Sequence, residues 1–264
     1  MQIMGIVNMT PDSFSDGGQY NTVNRCLEQV EEMVREGADI IDVGGESSRP
    51  FADPVAEADE LERVIPVISQ IRRCHAELPI SIDTTKAQVA ARALEAGATM
   101  INDISALEHD PEMVTVARQT NVPIIIMHRQ GTPGTMQVKP HYDDVVGEIS
   151  DFFRWRIDRL EVQGIDRQRL TIDPGIGFGK TLEHNLSILK HLEAFQALGQ
   201  PVLLGHSRKR FIGDITGLEV DERDLVTAVV SAMGVMKQVA ILRVHDVRST
   251  RQAVQMAEAI NTAS

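Results

Sequence analysis

The amino-acid sequence predicts an α/β protein, a (β/α)8 TIM barrel folded as a single domain over residues 1–264. Three observations carry that prediction. Short apolar runs alternate with longer amphipathic ones from end to end. The short runs show little period-2 alternation, as expected of parallel strands buried on both faces. Eight such pairs fit into 264 residues, near the roughly 250 that a barrel of this kind takes. A doubly wound open sheet is the rival, but no Gly-x-Gly-x-x-Gly turn opens the first helix, and Gly5 lies inside the first apolar run.

In chain order, residues 3–7 form the first strand and 24–35 the first helix, which Gly37 stops. Residues 40–43 and 56–75 follow as the second pair, 80–82 and 86–95 as the third, with Gly97 closing the helix. The fourth pair is 100–101 with 111–120, the shortest apolar run of the eight. The fifth is 124–127 with 144–163, closed by Gly164, and the sixth 170–172 with 182–197, closed by Gly199. Residues 202–204 with 222–237 and 241–244 with 247–260 complete the set. A glycine just past the last periodic residue is the usual left-handed stop of a helix.

With 38 Asp and Glu against 26 Lys and Arg, the net charge is −12. That argues against a nucleic-acid surface, which needs a dense cationic stripe, while leaving room for a local cationic pocket. Cys26 and Cys74 stand 48 residues apart without metal-ligand spacing and read as reduced thiols. No apolar run reaches the ~18–20 residues of a membrane span, and the opening Met-Gln-Ile-Met-Gly lacks the features of a signal peptide. A soluble, cytoplasmic protein with no nucleic-acid or membrane partner is expected.

In such a barrel the C-terminal strand ends converge on one mouth, where active sites lie. Here every end is polar. Asn8 and the loop to Gly18 follow the first strand, Gly44-Gly45-Glu46-Ser47-Ser48-Arg49-Pro50 the second, and Asp83-Thr84-Thr85-Lys86 the third. Asn102-Asp103, His128-Arg129 and Asp173-Pro174-Gly175-Ile176-Gly177-Phe178-Gly179-Lys180 follow the next three. Gly205-His206-Ser207-Arg208-Lys209-Arg210 and Arg243-Val244-His245-Asp246 close the set. Taken singly, Asp83 or Asp103 reads equally well as a helix cap. Together the residues divide into two chemistries. Asp83, Asn102 and Asp173 suit the N–H edge of a planar heterocycle, because a carboxylate accepts two parallel hydrogen bonds. Arg49, Lys209, Arg243 and His245 suit a phosphate or diphosphate, with Asn8 offering an amide oxygen to a metal.

These stretches resemble the signatures of the dihydropteroate synthase family, in family order from residue 4 to residue 247. The resemblance implies that 6-hydroxymethyl-7,8-dihydropterin pyrophosphate condenses with 4-aminobenzoate to give 7,8-dihydropteroate and pyrophosphate, with Mg2+. It implies that Asp83, Asn102, Asp173 and Lys209 hold the pterin, with Ile104, Met127, Phe178 and Gly205 as walls. Asn8, Arg49, Arg243 and His245 match positions that serve the pyrophosphate and its metal. Phe14, Ser48, Arg49 and Pro50 match the segments that complete the aminobenzoate site. Asp173, Lys209, Arg243 and His245 are the expected catalytic set, and a homodimer and a sulfonamide target are implied as well. Arg210 stands where many members have Ser, Val226 where Gly is usual, and Ser48 where Thr is commoner.

His128 and His206 read as structural histidines, and Lys86 and Lys180 as structural or solvated charges. The Gly175/Gly177/Gly179 loop reads as a close backbone approach to a flat ligand. The apolar stripe over 228–236 reads as helix core or subunit surface. Two other functions stay in view: a pterin-dependent methyltransferase acting on a corrinoid, and a non-catalytic pterin-binding homologue.

Overall fold

The structure is a computed structural model and describes residues 1–9, 18–47, 52–132 and 134–263. Strands and helices alternate: β1 Gln2–Asn8, α1 Gly18–Arg35, β2 Ile40–Gly44, α2 Glu57–Cys74, β3 Ile80–Asp83, α3 Ala87–Glu95, β4 Met100–Asp103, α4 Met113–Gln119, β5 Ile124–Met127 and α5 Val145–Val162. There follow β6 Leu170–Asp173, α6 Leu182–Lys190, α7 Glu193–Gln196, β7 Leu203–Leu204, α8 Arg210–Thr216, α9 Asp224–Met236, β8 Ile241–Val244 and α10 Val247–Thr262. The eight parallel strands run in the order β6-β5-β4-β3-β2-β1-β8-β7. A parallel bridge between Ile172 and Val202 joins the two ends into a barrel, and the Ile172 N–H donates to the Pro201 carbonyl at 2.9 Å.

All eight predicted strands are present. The fourth extends through Asn102 and Asp103, because polar residues continue the pairing with β3 beyond the apolar run. The glycines at 37, 97, 164 and 199 all take positive φ, as expected of helix stops. The helices differ from the prediction at three points, the first being that α1 begins at Gly18, six residues before the predicted start. The sixth helix is broken between α6 and α7, where the His191 N–H is shared between the Ser187 and Ile188 carbonyls. A short α8, capped by left-handed Gly217, adds an element that the apolar pattern does not show. Seven residues are too few for apolar periodicity to register.

The fold places the chemistry by parity. Met4, Ile40, Ile125, Leu203 and Ile241 form an apolar plug inside the barrel, with Met100 packed against it. The far larger cluster between strands and helices takes the alternate positions, such as Ile41, Val43, Ile82, Ile101, Ile124, Ile126 and Leu242. Side chains alternate along a strand, so two residues beyond the plug the inward face carries Asp42, Asn102, Met127 and Arg243. Register sets Asp83 beside Asn102 and Asp173 beside Met127. Among the described residues, no helix is long and apolar enough to cross a membrane.

Candidate active site

Arg243 spans the mouth. Its Nε donates to Asp42 Oδ2 and its Nη2 to Asp83 Oδ2, both at 2.6 Å. Burial works against the Arg243 charge, but the carboxylates of Asp42 and Asp83 outweigh it and raise its pKa. Burial pushes Asp83 up to about 7 against the pull of Arg243, with Asp42, Glu60 and Asp103 adding to the rise. Asn102 Nδ2 lies 3.4 and 3.3 Å from the two oxygens of Asp42. Asp42 is fully buried and belongs to the site, although the sequence reading does not single it out. The available signal is a carboxylate at the inward parity of the apolar run 40–43.

Asp173 is held from the other side. Its Oδ1 accepts the Gly175 N–H at 2.8 Å, and burial lifts its pKa to about 6 despite that bond and the charges of Lys209, Arg243 and Lys180. Gly175 makes this turn possible: φ is +72°, and a Cβ there would fall 2.0 Å from the His128 carbonyl oxygen. Lys180 Nζ, itself buried, donates to the Phe178 carbonyl at 3.0 Å and lies 3.2 Å from His128 Nδ1. Tyr142 OH donates to the Gly179 carbonyl at 3.1 Å. These bonds fasten the 174–180 loop and give His128 and Lys180 structural roles. Burial and the Lys180 charge keep His128 neutral, its pKa lowered to about 3.

Phe178, Met127 and Met136 form a small apolar cluster with Ile104 packed against it; Met136 is an addition to the expected wall. Lys209 Nζ sits 4.1 Å over the Phe178 ring. Burial and the neighbouring Arg243 charge lower the Lys209 pKa to about 8, with Asp173 and Asp83 pulling the other way. Gly205 adjoins Asp173, where a Cβ would stand 3.3 Å from Oδ2. Just past β8, His245 meets the loop after β7: Ser207 Oγ lies 2.9 Å from His245 Nδ1 and accepts the His245 N–H at 3.1 Å. Asn8 ends β1 beside Gly44.

Asp83 and Asp103 separate clearly. Asp83 faces the mouth, whereas Asp103 accepts from the Ser105 N–H and hydroxyl at 2.6 Å and from the Leu107 N–H at 3.1 Å, fixing a turn. His206 is buried against the Thr227 carbonyl and Ser231 hydroxyl. Arg208 clamps Asp224 in a bidentate pair at 2.7 and 2.6 Å, and Lys86 pairs with Glu46 and Glu60. Arg210 is exposed beside Asp214. Phe14, Ser48, Arg49 and Pro50 lie outside the described residues.

The arrangement leaves three oxygens, Asp83 Oδ1, Asn102 Oδ1 and Asp173 Oδ2, with no hydrogen bond among the described residues. With Lys209 as donor and Phe178, Met127 and Ile104 as a slot, the mouth is complementary to a flat ring bearing several N–H groups. Among the described residues, no cluster of three or more His, Cys, Asp or Glu could hold a metal. The amide oxygen of Asn8 does fit a hard cation that draws its other ligands from water and a substrate diphosphate.

A barrel with such a mouth is an enzyme for a donor-edged heterocycle, and the family model described as pterin binding enzyme matches residues 4–245. The dihydropteroate synthase of Synechocystis sp. is 45% identical over 259 residues, covering 98% of this chain and 89% of that protein. The structure is similar to Xanthomonas albilineans dihydropteroate synthase with 4-aminobenzoic acid (TM-score 0.93, 44% identity, 100% of this chain and 94% of that one). It is also similar to that enzyme in complex with 7,8-dihydropteroate (TM-score 0.90, 42% identity, the same coverage). The chain belongs to the dihydropteroate synthase family.

Proposed function

We propose that this chain condenses 6-hydroxymethyl-7,8-dihydropterin pyrophosphate with 4-aminobenzoate to give 7,8-dihydropteroate and pyrophosphate, a step of folate biosynthesis. The observation that carries the reading is the set of three acceptor oxygens that take no hydrogen bond among the described residues, beside the apolar slot. A reduced pterin presents a 2-amino group and ring N–H donors on one flat body, and Asp83, Asn102 and Asp173 supply the matching acceptors while Lys209 donates. The methylene carbon–oxygen bond breaks, the carbon–nitrogen bond forms, and pyrophosphate leaves with a proton lost from the aniline nitrogen. That nitrogen is neutral at pH 7, so no strong general base is needed.

The barrier lies in departure. Positive charge develops on the methylene and spreads into the pterin, where the Asp173 carboxylate stabilises it. Arg243 and His245 draw on the leaving group, with Ser207 orienting the imidazole. Mg2+, when bound, supplies charge to the departing diphosphate, and Asn8 would hold it through its amide oxygen. Phe14, Ser48, Arg49 and Pro50 complete the aminobenzoate site, which makes the chain a sulfonamide target. We read the whole chain as one pterin-binding domain of a cytoplasmic homodimer. Leu225, Val229, Met233 and Met236 on α9, with Met256 and Ile260 on the packed α10, form the exposed apolar face that supports the dimer.

The test is pyrophosphate release from the purified chain with both substrates and Mg2+. Release that requires 4-aminobenzoate and stops with a chelator is expected; no release, or release independent of 4-aminobenzoate, refutes the reading. A methyltransferase or a non-catalytic homologue would release none.

A further inference from the structure

Asp42 is placed to decide which face of the Asn102 amide meets the ligand. A primary amide carries a donor and an acceptor on opposite sides, and nothing in its own shape chooses between them. Here Nδ2 is turned to Asp42, lying 3.4 Å from Oδ1 and 3.3 Å from Oδ2. The Asp42 carboxylate, buried and acceptor-only when ionised, has no donor to offer a flipped amide. Arg243 donates through Nε to Asp42 Oδ2 at 2.6 Å and holds the carboxylate in place. Oδ1 of Asn102 is left for the mouth, beside Asp83 in register.

We infer that Asp42 is a positioning residue that sets Asn102 as a hydrogen-bond acceptor and so selects a ligand bearing an N–H at that point. The inference rests on the pterin reading above. Its consequence is concrete. In Asp42→Asn, the single oxygen stays with Arg243 and within 3.3 Å of the Asn102 NH2, while a new NH2 in place of Oδ1 meets that same NH2 at 3.4 Å. The Asn102 amide loses the two-acceptor hold that fixes its orientation, and its donor face competes for the mouth where only an acceptor stood. Adding Asn102→Asp restores the pattern: the carboxylate at position 102 accepts from the amide at position 42 and turns its second oxygen to the mouth. The net charge of the pair equals that of the wild-type pair.

The test is calorimetric binding of 6-hydroxymethyl-7,8-dihydropterin, a ligand without the diphosphate, to the wild-type chain, Asp42→Asn and the double variant Asp42→Asn/Asn102→Asp. Thermal melts of each verify folding. Asp42→Asn should bind about tenfold more weakly or worse, the size expected when a buried acceptor becomes a donor facing a donor. The double variant should regain most of that loss. A purely structural role for Asp42 would not be rescued by exchanging the two side chains. Unchanged affinity in Asp42→Asn, or a folded double variant no better than the single one, overturns the inference and leaves the pterin reading intact. A wild-type chain that does not bind the dihydropterin overturns both.

Discussion

Replacing Asp173 with Asn should make the free protein more stable at pH 8 while removing most of its activity. Burial lifts the Asp173 pKa to about 6 from an ordinary 3.8. Because the folded value lies above the unfolded one, the stability this group contributes at low pH is lost as pH rises through about 6. At pH 8 that loss amounts to about 3 kcal/mol. Asn escapes it, since it never ionises and its oxygen can still accept the Gly175 N–H. The attraction of Lys209 is already contained in that raised value and takes nothing further from the gain. The gain is about 3 kcal/mol, or roughly 6–12 °C in melting temperature for a chain of this size.

At pH 3 the advantage should nearly vanish, because Asp173 is then protonated in the folded and the unfolded chain alike. The catalytic effect runs the other way. The Asn NH2 occupies the place of Oδ2, so one or two charge-assisted hydrogen bonds of about 1.5–3 kcal/mol each disappear along with the negative charge beside the developing cation. An activity loss of about 10²–10⁴-fold in kcat/KM is expected. Scanning calorimetry at the two pH values and a pyrophosphate-release assay read both effects. A variant less stable than wild type at pH 8, or one within about threefold of wild-type activity, refutes the reasoning.

The pH profile of kcat/KM should rise as Asp173 ionises near pH 6 and fall as Lys209 loses its proton near pH 8; a flat profile across that range would contradict these roles. Lys209→Ala should remain folded, by thermal melt, and lose most turnover. Dihydropterin binding brings N–H donors to Asp173 and Asp83 and lowers their pKa values, so near pH 6 it should release protons, read by calorimetry in buffers of different ionisation enthalpy. Met233→Glu should abolish the proposed dimer, read by light scattering, since Met233 sits in the exposed apolar stripe of α9; a wild-type chain that is itself a monomer would refute the dimer.

Much of this is legible in the residues, and the reasons differ from place to place. The eight strands stand out because each is a continuous apolar run, and the inward residues Asp83, Asn102, Asp173 and Arg243 follow such runs or sit within them. Asp42 is obscured by the same signal: one carboxylate between Ile41 and Val43 looks like an interruption, and only the register with β3 and β1 shows that it faces inward. Asp83 and Asp103 are indistinguishable as strand-end aspartates. They divide by parity, one turned to the mouth and the other to the Ser105–Leu107 turn. The sequence assigns Arg243 to the diphosphate. In the free mouth its Nε and Nη2 are committed to Asp42 and Asp83, a partnership across 201 and 160 residues of chain that no local pattern carries.

Those commitments explain how a mouth so rich in buried charge can exist before ligand arrives. Asp42, Asp83 and Asp173 crowd one end of the barrel, and isolated ions there would be heavily penalised. Arg243 ties Asp42 and Asp83 into one network across β2, β3 and β8, and Lys209 stands near Asp173 and over Phe178. Burial still opposes three charges at the mouth: the carboxylates of Asp83 and Asp173, with pKa values raised to about 7 and about 6, and the ammonium of Lys209, lowered to about 8. In the proposed complex, a pterin that donates to the carboxylates and accepts from Lys209 relieves these penalties together, and a transition state that places positive charge on the ring favours the Asp173 carboxylate further. The cost of burying these charges in the fold is thereby recovered where the proposed reaction needs them.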